Sequence, residues 1–598
     1  MKKRISPALV TALVMFAVTI AAAAFYLVDR YMPNNKEADL AEYLHLANEE
    51  DVGLVVDGEV SEQPAKRLQG ELYLPCDAVR EMVDPGLYYD AADHLLILTK
   101  PTEVETVPAD GTDAAFCLKN EVPYVSAAFV RDYCMADMRV YGTELPSGGS
   151  SDATVGDSTG KEAEDSVDAN AGGSVGENAE NATQEKLPYV SFRTADAYME
   201  AAVETDEAVL REEGSIKAPV LAKLSKGEKV RVLSEKAEDG FWKVVAESGL
   251  SGYVENGTLS EQKEVRRELP NAREYTHHLK EGKVVLAFHQ VTDQASNDAL
   301  PSYIKEVVGV TDLAPTWFFL DSEEGAVTSL ADAKYVKRAH KKGLGVYAVF
   351  NDFDGTVRSG RATADALSSF TRRQKMIQTV TDSVLSVDAD GICLDFENVT
   401  PLSAPDYIEF LRELSAICRK EGLVLSVCNY PPTYTKYYDR KRQAEVVDYI
   451  ICMCYDEHTK GSAKAGSVAS LPFVESGIAE TLQEVPAEQL IAALPFYTRI
   501  WESRDGVVTD CKTAGMANAA AYVEERGLTL TRDEAAGQDY AVLKEGTNAT
   551  EVWLENGYSL GEKLGLAGKY DLGGVAVWKL GFETADIWTL FLEYLEGK

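Results

Sequence analysis

Asp395 and Glu397 stand two residues apart at the end of DADGICLDFENV, an otherwise apolar run from Asp388 to Val399. Residues at i, i+2 and i+4 of a strand share a face. Gly391, Cys393, Asp395 and Glu397 therefore point one way, and Ile392, Leu394 and Phe396 the other. Two carboxylates about 7 Å apart along a strand, in a partly buried place, repel each other and lose hydration. One is expected to hold its proton near neutral pH. A carboxylic acid still protonated at that pH is what a leaving oxygen needs as a proton donor.

The acids must be positioned by the strands around them. From about Tyr275, apolar strand candidates alternate with amphipathic segments of helical length: 284–291, 316–320, 345–351, 391–397, 424–430, 447–457, 490–501 and 573–580. Ser403–Lys420 carries Leu411, Leu414 and Ile417 at helical spacing. Eight such strands predict an α/β fold, a (β/α)8 TIM barrel, with the acid row facing its interior and Glu397 at the C-terminal face where barrel sites are built. The gap of about 70 residues before the last strand predicts an insertion. An open doubly wound sheet is the alternative, but no glycine-rich phosphate turn follows the first strand.

These residues carry a resemblance. DGICLDFE is similar to the D-G-x-D-x-D-x-E signature of family 18 glycoside hydrolases, the chitinase-like barrels. The resemblance implies Glu397 as acid/base, Asp395 as the residue orienting the substrate's own 2-acetamido nucleophile, and Asp390 as the first acid of the motif. Cys393 stands where the family has its middle Asp. MCYDEH (Met453–His458) is similar to the family's M-x-Y-D, which implies Tyr455 on the acetamido carbonyl and Asp456 on a sugar hydroxyl or the amide. LPFYTRIW places Tyr497 and Arg499 at the end of the seventh strand, and GGVAVWKL places Trp578 on the last, as the floor of the sugar subsite. Within the family these segments look closest to bacterial spore-cortex and cell-wall N-acetylglucosaminidases. The match spans 275–598.

The rest of the chain reads as accessory modules. After MKKR (cytoplasmic 1–7), Ala8 to Val28 carries no charge over 21 residues, about 31 Å as a helix. This predicts a transmembrane anchor with the rest of the chain outside; a cleaved signal peptide is the rival, since Ala21–Ala24 offers cleavage sites. Residues 38–141 form a small α+β domain with an internal repeat, YLPCDAVRE (Tyr73–Glu81) echoed by YVSAAFVRD (Tyr124–Asp132), separated by a hairpin, LYYDAADHLLILT. It resembles the stalk-type domain related to the N-terminal domain of copper amine oxidases, without implying copper, since His94 alone is no metal site. Residues 143–186 have no aromatic residue and read as a disordered linker. Residues 187–262 alternate like short strands broken by Gly227, Gly240 and Gly252. They resemble bacterial SH3-like wall-binding domains, in which Trp242 and Tyr253 either bind ligand or fill the core.

A net charge of −38 excludes the basic stripes of nucleic-acid binders. Nine cysteines cannot all pair within one chain, and none falls in a zinc pattern, so no cofactor or metal is expected. The expectation is an exported, membrane-tethered glycosidase cleaving β-linked N-acetylglucosamine in peptidoglycan or chitin-like glycans. The alternative is a non-hydrolytic, sugar-binding chitinase-like protein of the cell wall; inactive members of that kind usually lose the final Glu, and Glu397 is present.

Overall fold

The computed structural model describes Met15 and residues 30–109, 115–134, 137–142, 187–194, 197–234, 236–266 and 275–597. The expected linker at 143–186, and the expected span at 8–28 except Met15, lie outside the described residues. Among the described residues, no helix is long and apolar enough to cross a membrane. The chain divides into two compact units: Met1–Pro85 with Ala109–Ala272, and Gly86–Pro108 with Arg273–Lys598.

The second unit holds the eight expected strands: β1 (Val284–His289), β2 (Asp312–Leu320), β3 (Gly345–Asn351), β4 (Gly391–Asp395), β5 (Val424–Asn429), β6 (Tyr449–Met453), β7 (Leu490–Pro495) and β8 (Gly574–Trp578). Each pairs in parallel with the next, and β8 pairs with β1, so the barrel closes. Strand alternation divides its side chains between two cores. Tyr347, Val349, Cys393, Cys428, Ile451 and Met453 pack inside the barrel; Ala348, Ile392, Leu394, Val427 and Ile450 pack under the helices. Fully burying one such aliphatic chain contributes about 1.5–3 kcal/mol. Gly391 opens β4 because a Cβ there would lie 2.4 Å from the Val424 carbonyl oxygen and 3.0 Å from the Tyr347 ring.

The seventh strand ends earlier than the sequence reading placed it. Pro495 has no N–H to extend the ladder, Phe496 N–H donates to the Trp578 carbonyl at 2.8 Å, and the chain then leaves the barrel. Tyr497–Arg504 is the first strand of the insertion, a five-stranded antiparallel sheet with one helix, Met516–Arg526. Tyr497 and Arg499 thus belong to the insertion and not to β7.

Three antiparallel strands from far upstream, Leu87–Asp90, Leu95–Thr99 and Val104–Pro108, belong to the barrel's unit. They include the hairpin read between the two repeat copies. They pack on α1 (Phe370–Ser386) and α2 (Ala404–Glu421). Asp90 accepts the Phe370 N–H at 2.6 Å, and Asp93 accepts the Thr371 N–H at 2.7 Å and the Ser369 hydroxyl at 2.8 Å. Carboxylates thus meet the positive N-terminus of α1, where orphan N–H groups need acceptors. Arg373, fully buried, donates to Asp90 at 3.1 Å, to Glu413 at 2.8 and 3.0 Å and to the Leu367 carbonyl. Tyr88 bonds Asp406, and Thr99 donates to Glu409 at 3.2 Å.

In the first unit, the repeat folds twice as a strand running into a helix: Glu71–Pro75 into Cys76–Met82, and Val122–Ser126 into Ala127–Tyr133. The two strands pair antiparallel, Tyr73 with Ser126 and Pro75 with Tyr124. Residues 189–193, which the sequence reading assigned to the SH3-like domain, instead pair with Asp51–Val56 and Asp137–Tyr141. Tyr189, Val190 and Phe192 are buried there, so this run completes the N-terminal sheet. The SH3-like sheet contains seven strands between Ala197 and Arg266. Trp242 packs partly on its core and donates to Asn256 at 2.6 Å.

The buried ion pairing predicts a test of the docked strands. Removing one partner of a buried pair costs about 3–5 kcal/mol. Asp90→Ala should therefore lower the barrel's thermal transition clearly, while Asp90→Asn, which keeps an acceptor for Phe370, should cost less. Equal melting of wild type and Asp90→Ala by calorimetry would show that the strands contribute nothing to the barrel.

Candidate active site

Asp395 ends β4 and is 5% exposed. Its Oδ1 has no hydrogen-bond partner. Burial pushes its pKa well above the usual carboxylate range, and the charges of Glu397, Cys393 and Asp352 push the same way; a bond with the Cys428 thiol opposes them. Beneath it, Cys393 lies fully buried with its Sγ 3.7 Å from Cys428 Sγ, too long for a disulfide. Cys393 therefore faces the interior, as alternation along the strand requires.

Glu397 lies just past the strand end, open to solvent at the mouth. The surrounding walls still make burial the largest cause raising its pKa, and Asp352, Asp456 and Asp354 add to the rise. The Tyr430 hydroxyl donates to Glu397 Oε2 at 2.6 Å and opposes it. Asp395 and Glu397 titrate as a pair, so their protons belong to the pair and not to either residue.

The sequence reading missed Asp352 and Tyr430. Asp352 follows β3 and is fully buried. Its carboxylate accepts the N–H groups of Glu397 at 2.9 Å and Asn398 at 3.1 Å and the Thr363 hydroxyl at 2.8 Å, while its carbonyl accepts the Asn398 amide at 2.8 Å. It ties the loop carrying Glu397 to the end of the neighbouring strand. The available signal was an acid directly after the apolar run GVYAVFN. Tyr430 likewise follows β5 directly.

Of the residues expected at the site, the structure brings most together. Tyr455 follows β6; its ring centroid is 6.1 Å from that of Tyr497, edge to face, and it senses the charges of Asp395 and Glu397. Asp456 takes a left-handed φ of 61°. Its Oδ1 accepts Tyr497 at 2.7 Å and Arg499 at 2.6 Å, and Arg499 also donates to the His458 carbonyl at 2.9 Å. Trp578 ends β8, half-buried, 5.6 Å from the Phe288 ring. Asp390 is not at the site. It precedes β4 at the opposite end, about 17 Å from Asp395 at strand rise, and bonds His340 and the Val346 N–H, each at 2.8 Å. Its role is to join two barrel elements. Among the described residues no cluster could hold a metal ion.

A coupled carboxyl pair at the C-terminal mouth of a barrel, walled by tyrosines and a tryptophan, suits acid–base chemistry on a sugar, whose apolar face aromatic rings can cover. The molecule is a glycoside hydrolase. The sequence pattern of glycosyl hydrolases family 18 matches residues 284–583, half of the chain, and the chain belongs to that family. A bacterial SH3 domain pattern matches residues 206–260. The chain is 22% identical over 305 residues to the uncharacterized glycosylase YvbX of Bacillus subtilis (strain 168), covering 50% of this chain and 87% of that protein. It is 23% identical over 235 residues to the cortical fragment-lytic enzyme of the same organism, covering 38% of this chain and 54% of that protein. It thus spans about half the length of this second relative. Among solved structures it resembles the Bacillus cereus spore cortex-lytic enzyme SleL, with a TM-score of 0.48 and 21% identity over 53% of this chain and 75% of that one.

Two substitutions test the electrostatics. Tyr430→Phe removes a donor that favours the Glu397 carboxylate. The Glu397 pKa should rise, the proton should persist to higher pH, and the alkaline limb of the pH–rate profile should move upward. A downward shift would show that Tyr430 does not donate to this carboxylate. Cys393→Asp puts a third acid inside the barrel beside Asp395. Circular dichroism should show a folded protein, with the acidic limb moved upward by the added like charge. Unfolding would mean that position 393 cannot accommodate a polar group beside the pair.

Proposed function

We propose that the chain is an exported, membrane-tethered β-N-acetylglucosaminidase that cleaves peptidoglycan by substrate-assisted, retaining catalysis, with chitin-like glycans as the alternative substrate. The observation that carries this reading is the orphan Oδ1 of buried Asp395 next to the solvent-facing acid Glu397. An acetamido N–H arriving at Asp395 supplies the missing donor, favours its carboxylate and leaves the shared proton on Glu397.

Glu397 then protonates the glycosidic oxygen as the C1–O bond breaks. The acetamido carbonyl oxygen attacks C1 and forms an oxazolinium ion, held by Asp395 on its N–H and by the Tyr455 hydroxyl on its oxygen. The leaving glycan departs with the proton. The Glu397 carboxylate next takes a proton from water, which opens the ring at C1 and restores both groups. Two inversions at C1 give retention. Asp456, braced by Tyr497 and Arg499, accepts a sugar hydroxyl, and Trp578 covers the sugar's apolar face. The names of the cortex-lytic relatives and the SH3-type domain support a wall polymer as substrate. The charge-free run Ala8–Val28 after MKKR supports the tether.

Purified peptidoglycan digested with the enzyme should yield N-acetylglucosamine at the new reducing ends by mass spectrometry; muramic reducing ends would overturn the assigned bond. Glu397→Gln should lower turnover by about 10²–10⁴-fold with glycan binding kept. Asp395→Asn should cost a similar factor, and a thiazoline mimic of the cyclised acetamido group should inhibit the wild type. A covalent glycosyl–protein adduct would exclude substrate assistance.

A further inference from the structure

Within the first unit, a cleft of about 320 Å³ opens between the N-terminal sheet and the SH3-like sheet. Four cations line it, Arg139, Arg193, Lys229 and Arg231, against two carboxylates, Glu200 and Glu247. Asp57 and Asp137 pair with two of these cations from beside the cleft, so its charges balance and what distinguishes it is which donors are left uncommitted.

The cations are not equally committed. Lys229 pairs with Glu200 at 2.9 Å, and Arg193 pairs with Asp137. Arg231 is 8% exposed and donates through Nη1 to Asp57 at 2.7 Å, but its Nη2 is buried without an acceptor. The Tyr198 ring lies 5.9 Å from its guanidinium carbon. Arg139 is exposed and has no acidic partner within ion-pair distance among the described residues. A buried donor left unsatisfied is rare in native structures, and one of guanidinium type fits an oxyanion best.

The floor of the cleft is fixed by the fold. Tyr141 stacks on Tyr189 at 4.8 Å and donates to the Glu247 carbonyl at 2.8 Å, which joins the two sheets. The arginines therefore project from paired strands, Asp137–Tyr141 beside Tyr189–Arg193 and Lys229–Val232 across from them. Trp242 and Tyr253, the aromatics singled out in the sequence, are not among the lining residues.

We propose that this cleft is an oxyanion-binding site, taking a carboxylate or phosphate carried on a flexible chain between Arg139 and Arg231. The site is independent of the catalytic barrel, so it can fail while the hydrolase reading stands.

The test is calorimetric titration of the full chain with glycerol phosphate and, separately, with N-acetyl-D-alanyl-D-alanine. Saturable one-site binding of at least one probe is expected, weakened by added salt. Whichever probe binds assigns the source as phosphate or carboxylate. Arg139→Ala, an exposed change outside the catalytic machinery, should weaken binding about tenfold, the loss of one charge-assisted contact. Its hydrolysis of soluble N-acetylglucosamine oligomers should be unchanged. Arg231→Gln should weaken binding further. Absence of saturable binding of both probes up to about 10 mM, weaker than the millimolar range of simple contacts, would overturn the site. So would binding that Arg139→Ala and Arg231→Gln both leave intact.

Discussion

The site depends on a carboxyl group buried at a strand end with one oxygen unpaired. Burying a carboxylate without donors is costly, and such a group keeps its proton instead. Asp395 is short of donors at Oδ1; Asp352, nearby and as deeply buried, is also raised by burial, but its N–H and hydroxyl donors oppose the rise. Asp352 receives two backbone N–H groups and a hydroxyl and acts as a fastener for the loop after β4. The contrast separates two uses of the same side chain. One acid has its bonding complete within the fold; the other is left with capacity that a ligand can fill. The closed barrel makes this possible, because the packed layers inside it hold Cys393 and Cys428 rigidly under Asp395 and admit no protein donor to its Oδ1.

The thiols matter to this arrangement. A sulfur is a weak hydrogen-bonding group and fills space as a small hydrophobe. With thiols below, the buried acid meets only the weak Cys428 partner there, and Glu397 is the charge that raises it most. The coupling therefore concentrates in two carboxyls at the mouth instead of spreading down the strand. Asp456 is held by a different logic. It comes from the loop after β6, but both of its donors, Tyr497 and Arg499, come from the insertion. The insertion thus sets the direction of a side chain that faces the site, which gives it a place in recognition as well as in architecture.

Much of this was legible because parallel barrel strands are buried on both faces and read as nearly continuous apolar runs. Asp395 and Glu397 were legible because a period of two fixes their common face. Asp390 was misread because a motif's spacing does not say which of its residues reach the C-terminal end; four strand residues separate it from Asp395. Asp352 and Tyr430 were missed because each acts across to a neighbouring strand, 45 and 33 residues away from Glu397 in sequence. The docked strands at 87–108 were read as a local hairpin, which they are. Their partner Arg373 lies 283 residues from Asp90, and no local pattern announces such a pairing.

Charge sets a final constraint on how such an enzyme meets its substrate. Glu397, Asp354 and Asp456 crowd the mouth, and the chain as a whole is strongly acidic. A neutral sugar approaches this mouth without penalty, but a polymer bearing carboxylates or phosphates is repelled beyond what screening removes within about 8–10 Å. Raising Glu397 and Asp395 toward neutrality reduces that repulsion at the point of bond cleavage. The proposed oxyanion cleft of the first unit, where Arg139 is uncommitted and Arg231 lacks one acceptor, would supply attraction where the mouth cannot. On the proposed reading of an anionic wall polymer as substrate, two tasks fall to two surfaces. One is the acidic mouth that carries proton transfer; the other would be the proposed oxyanion cleft, which would hold the polymer without taking part in the chemistry.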